Sequence, residues 1–115
     1  MGNIIHVELT SADPHATADF YHRAFGWQST ASPFLPDYLT ARTGEGGGID
    51  AAVMSSRYQD QSTIIWIEVS DIATTAAAVS AAGGTVGEFH DLPEQGRVGY
   101  VTDPRGVVIG LKQPL

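Results

Sequence analysis

The chain has 115 residues, 43% of them hydrophobic and 17% charged, so it has room for one hydrophobic core and the make-up of a folded protein rather than a disordered one. Thirteen acidic residues against six basic ones give a formal net charge of −7, which repels nucleic acid and anionic membrane and favours cationic partners. The absence of cysteine excludes a disulfide framework, a thiolate metal site and a cysteine nucleophile; no apolar run approaches the roughly 18 to 20 residues that span a bilayer, and a cytoplasmic location is the expectation.

From Asn3 to Thr10 the chain alternates as a strand does, with His6 and Glu8 on one face and Val7 and Leu9 on the other. Asp13 then stands where a helix N-cap belongs, and Pro14 stands at the first helical position. Phe20, Tyr21, Ala24 and Phe25 recur at one-and-four spacing before Gly26, which predicts an amphipathic helix over 14–25. "WQSTAS", "DYLTART" and "GIDAAVM" read as three short strands separated by turn formers. The glycine-dense "TGEGGGID" lacks the Lys-Ser or Lys-Thr ending and the helix that a phosphate loop needs, and reads as a turn at the rim.

After the polar connector "RYQDQS", the second half repeats the order. "TIIWIEVS" is a β-branched and aromatic strand, and Asp71 caps an alanine-rich helix that runs to Gly83 and Gly84. "TVGEF", "GRVGYVT" and "VVIGLKQ" supply three more strands, the last two joined by the turn "DPRG". The chain therefore reads as one α+β domain over 1–115, built from two β-α-β-β-β modules, about 1–56 and 63–115. His15, His22 and Arg23 fall on the solvated face of the first helix. His90, after the strand "TVGEF", belongs to a loop.

The ordered set "HVELTSADP", "ADFYHRAFGW", "IEVSDI", "AAGGTV" and "VTDPRGVVIGLKQ" resembles the vicinal oxygen chelate superfamily, which includes glyoxalase I, bleomycin-resistance proteins and extradiol dioxygenases. The resemblance implies mixed sheets curled into half-cups around a ligand pocket, and a homodimer. It also implies four metal ligands, usually two His and two Glu, and His6 falls on the first of these positions. The others fall on Trp66 or Ile64, near Asp50, and on Gly110, so one of the four expected ligands is kept. A divalent ion needs several such donors at once. The expectation is a site with no metal and no cofactor.

Strand parity sets Glu8 and Glu68 facing inward, and Trp66 shares the face of Glu68. Tyr38, Met54 and Tyr100 lie on strands that line the half-cups, and an apolar wall with a few polar groups is what a small-molecule site requires. The candidate ligand-binding residues are thus His6, Glu8, Tyr38, Met54, Trp66, Glu68 and Tyr100, with His6, Glu8 and Glu68 as candidates for catalysis. No Gly-x-Ser-x-Gly elbow signals a hydrolase. The leading expectation is a metal-free protein that holds a small cationic or aromatic molecule, without nucleic-acid or membrane partners. The alternative is a lyase, isomerase or dioxygenase of the same superfamily, either metal-dependent or moving a proton through Glu8 or Glu68 with His6 as the relay.

Overall fold

The computed structural model describes residues 2–115 as eight strands and two helices. Their order is β1 (Ile4–Ser11), α1 (Pro14–Phe25), β2 (Gln28–Ala31), β3 (Tyr38–Arg42), β4 (Asp50–Ser55), β5 (Thr63–Glu68), α2 (Ile72–Ala81), β6 (Thr85–Leu92), β7 (Gly96–Thr102) and β8 (Val108–Pro114). The fold is α+β, with the β-α-β-β-β order present twice. Two compact units form: His6–Ile64 is one, and a short N-terminal piece ending at Ile5 joins Ile65–Leu115 in the other. Among the described residues no helix is long and apolar enough to cross a membrane.

In the unit His6–Ile64 the strands run in the order β2-β3-β4-β1. The hairpin-linked neighbours are antiparallel, and β1 lies parallel to β4 because α1 carries the chain back across the sheet. Asp13 caps α1 by accepting the Ala16 N–H at 3.1 Å, and Pro14 at the first turn has no N–H to leave unsatisfied. The helix stops where Gly26 takes a left-handed φ of 78° and its N–H closes on His22 O at 2.8 Å.

One face of this sheet meets the helix. Ala18 packs there on Leu39 and Val53, with Tyr21 alongside, and the small Ala18 lets helix and sheet approach closely. The expected aromatic stripe is therefore only partly a core stripe. The sheet meets α1 along Pro14, Ala18 and Tyr21, whereas Phe20 and Phe25 remain 59% and 64% exposed.

In the other unit the order is β5-β8-β7-β6, with β5 parallel to β8 and the rest antiparallel. Asp71 caps α2 by accepting the Thr74 N–H at 3.1 Å, and that bond holds its carboxyl below the usual carboxylate range. Val69, Ile72, Val101 and Leu111 form the core beneath the helix. Ile72 is the buried residue of α2, and Val79 packs partly buried against the same core. The N-terminal piece is tied in by backbone bonds of 2.9 Å, Gly2 N–H to Glu68 O and Glu68 N–H to Asn3 O.

Strand β6 runs further than the pattern predicts. The register slips between Val86 and Phe89, and pairing then resumes through Leu92, so His90 lies in the strand opposite Val98 rather than in a loop. The "DPRG" turn forms as expected. Asp103 accepts the N–H groups of Arg105 at 2.8 Å and Val107 at 3.0 Å, which pulls its carboxyl below its ordinary value.

Candidate functional site

The register of the first sheet places the candidate residues on one surface. Leu39 and Val53 point to α1, so by alternation Tyr38, Met54, Ala52 and Glu8 point to the opposite face. Tyr38 stands across from Met54, and Glu8 stands across from Ala52. The small Ala52 lets the long phenol of Tyr38 cross β4 and reach Glu8 on the far strand. Its hydroxyl donates to Glu8 Oε2 at 2.5 Å.

Glu8 is 1% exposed, a carboxylate taken almost wholly out of water. Such a group is costly unless strongly hydrogen-bonded, and a short O–H donor to a carboxylate is among the stronger bonds available. His6 Nε2 lies 3.4 Å from the same hydroxyl. Since the phenol's own proton goes to Glu8, a protonated Nε2 can donate to the phenol oxygen. His6, Tyr38 and Glu8 thus form a short polar chain over the buried Met54. His6 and Tyr38 are half-buried and present the chain's outer end.

A second feature fixes Tyr38, and the sequence patterns did not single it out. Asp37 adopts a left-handed φ of 53°, rare for a residue with a side chain. Its carbonyl accepts the Ser55 N–H at 2.9 Å, and its carboxylate lies 3.2 Å from Arg57 Nη2 and 3.9 Å from His15 Nε2. The turn "PD" ahead of a strand was the available signal. Its effect is to set where β3 begins, and so which way Tyr38 points.

In the other unit the candidates form an aromatic surface. Trp66 and Gly110 are partners in the parallel register, and Tyr100 is the antiparallel partner of Gly110. The indole lies directly on the glycine: a Cβ at position 110 would collide with its ring carbons. The Trp66 and Tyr100 rings sit 5.1 Å apart at 56°. Glu68 lies one pair along the same face, opposite Lys112, and is not drawn into the aromatic pair.

This arrangement bears on the metal site that the resemblance implies. The position expected to carry a glutamate, Gly110, lies under the Trp66 indole, and Asp50 accepts the backbone N–H of Thr43 at 3.2 Å. Among the described residues no group of three His, Cys, Asp or Glu could hold a metal ion. The residues present do not fit the four-ligand centre. His15, His22 and His90 are exposed, with His22 Nδ1 bonded to Trp27 O at 2.9 Å and His90 4.0 Å from Glu88.

A family model described as "Glyoxalase-like domain" matches residues 6–111. No curated protein matches the chain in sequence. Among solved structures the chain is similar to methylmalonyl-CoA epimerase from Mycobacterium tuberculosis, with a TM-score of 0.75, 17% identity, and coverage of 99% of this chain and 88% of that one. It is also similar to a variant of the Streptomyces coelicolor methylmalonyl-CoA epimerase in complex with 2-nitronate-propionyl-CoA, at a TM-score of 0.66, 18% identity, and 96% and 93% coverage. A glyoxalase/bleomycin resistance protein/dioxygenase superfamily member from Vibrio splendidus 12B01 matches with a TM-score of 0.69, 14% identity, and 96% and 97% coverage. At these identities the likeness to solved structures establishes the fold. The family model spans nearly the whole chain, and the chain belongs to the glyoxalase-like domain family of the vicinal oxygen chelate superfamily.

Proposed function

We propose that the protein binds a small organic molecule without a metal ion, and that its working unit is a homodimer. The observation that carries this reading is the bond from Tyr38 to the buried Glu8, with His6 on the same hydroxyl. Glu8 is too deeply buried to meet a ligand directly, so its part is to orient Tyr38. The phenol oxygen and the imidazole of His6 are the polar groups a ligand touches. In the other unit, Trp66 and Tyr100 offer ring faces suited to stacking on an aromatic or cationic group. The net charge of −7 favours a cationic ligand at long range.

The test is a thermal-shift titration with Ni, Co, Mn, Fe(II) and Zn, run on wild type and His6→Ala, followed by a panel of cationic aromatic compounds. The expected result is no metal response that depends on His6, and stabilisation by some of the organic cations that His6→Ala and Tyr38→Phe weaken. A metal that raises the melting temperature of wild type but not of His6→Ala overturns the metal-free reading.

The polar chain also favours a second reading, proton transfer, in which the His6 imidazole takes the proton from a substrate C–H next to a carbonyl and returns one to the same carbon, while the Tyr38 phenol, oriented by Glu8, hydrogen-bonds the enolate oxygen formed between the two steps. The similar epimerases give a first substrate to try. Incubation with methylmalonyl-CoA in deuterated water would show incorporation of deuterium next to the carbonyl, and Tyr38→Phe would abolish it.

A further inference from the structure

Helix α1 carries a contiguous aromatic surface that its own unit does not cover. Phe20 and Phe25 are 59% and 64% exposed. Both rings adjoin Tyr21, at 5.3 Å and 6.1 Å, and Tyr21 stacks on Trp27 at 4.6 Å. Four neighbouring aromatic rings at a solvent boundary are costly for a free monomer, and aromatic residues are enriched where proteins meet.

The chain after Trp27 continues this surface. Trp27 leads directly into β2, the edge strand of its sheet, whose four residues, Gln28–Ala31, are all exposed. The strand carries no charge and no proline, the usual protections of an edge against pairing with another chain. An aromatic ridge and an unguarded edge therefore lie side by side.

Charge decides what fits there. The chain carries −7 overall, yet residues 14–31 hold one acid, Asp19, and one base, Arg23, beside two histidines. Asp19 and Arg23 are four residues apart on the exposed side of α1, 2.9 Å from one another. Two copies of α1 laid antiparallel put Arg23 of each against Asp19 of the other, a pattern that is its own complement. On a protein whose copies otherwise repel, this stretch with balanced charge lets like meet like at little electrostatic cost, and its one acid and one base add a mutual attraction.

We propose that a second copy of this chain docks on the α1–β2 face, with two-fold symmetry, burying Phe20 and Phe25 and pairing the two β2 edges. The proposal rests on the dimeric working unit above and adds the surface that makes it.

The full-length protein is examined by sedimentation velocity over a concentration series. Wild type is expected to show a reversible monomer–dimer equilibrium, and the variant Phe20→Glu with Phe25→Glu to dissociate at least about tenfold more readily, the loss typical of a central aromatic contact. Arg23→Asp alone is expected to weaken the dimer. Its combination with Asp19→Arg is expected to restore it, and this series decides the matter if the double phenylalanine variant loses its helical circular dichroism.

A dimer that survives both series unchanged rejects this face while leaving the dimeric working unit standing. A wild type that stays monomeric throughout rejects both. Open-ended oligomers overturn the two-fold arrangement.

Discussion

The indole of Trp66 rests on the Cα of Gly110, its partner across the parallel strands β5 and β8. Two positions at which the superfamily resemblance leads one to look for metal ligands are thereby joined as a packing pair. One residue is as large as a side chain can be, and the other has none. Each needs the other.

Gly110 is therefore expected to resist substitution. Gly110→Ala places a methyl inside the ring contact and should cost about 1–3 kcal/mol by overpacking, read from urea unfolding. Gly110→Glu should cost more, and should bring no melting-temperature response to divalent metals. Trp66→Gly in the same background should relieve part of the strain, a non-additivity that independent sites would not show.

Tyr38→Phe removes the hydroxyl that donates to buried Glu8. Leaving a buried acceptor short of a donor should cost about 1–3 kcal/mol. The double variant Tyr38→Phe, Glu8→Gln should be less destabilised than the sum of the singles, because the charge needing that donor is gone. Chemical denaturation of the four proteins in the cycle measures the coupling.

Asp37 separates backbone from charge. Asp37→Gly keeps the left-handed conformation while losing an exposed ion pair to Arg57, and its stability should stay within about 0.5 kcal/mol of wild type. Asp37→Val meets a conformation hostile to β-branched residues and should lose about 1–3 kcal/mol. Should the two fall together, the ion pair rather than the turn is what matters.

On the acid side, Asp71 and Asp103 both have folded-state pKa values below the ordinary 3.8, held down by backbone N–H groups. A depressed folded pKa means stability present above the unfolded value and lost as pH falls through the folded one. The melting temperature should therefore drop as pH goes below about 3.8, the ordinary value for Asp. Asp71→Asn and Asp103→Asn should each flatten that drop while leaving the neutral-pH unfolding cooperative. A drop centred near the pKa of histidine would point elsewhere.

Both helices were legible because their signals are local. Asp13 with Pro14 starts one and Gly26 ends it, and Asp71 starts the other. The sharing of a face by His6 and Glu8, and by Trp66 and Glu68, follows from the two-residue period of a strand. What the period cannot say is which helix row meets the sheet. Phe20 and Tyr21 have equal claim by spacing, and the closeness of Ala18 to Leu39 and Val53 decides for Tyr21. Nor does a strand pattern foresee a bulge, so β6 reads as ending at Phe89 when pairing in fact continues to Leu92. The bond of Tyr38 to Glu8 spans 30 residues and depends on Ala52 being small, a fact about three strands at once.

The bonds that Gly2 and Asn3 make with Glu68 carry a consequence for how the protein is made. Both residues are synthesised well before Glu68, so they wait for that partner while β1 can already pair with β4. Growth of the polypeptide, rather than local folding, sets when that segment is captured. Changes at Gly2 or Asn3 thus bear on the unit that holds Glu68, and chains stalled before Glu68 would leave this short segment without its partner while β1 is already paired to β4.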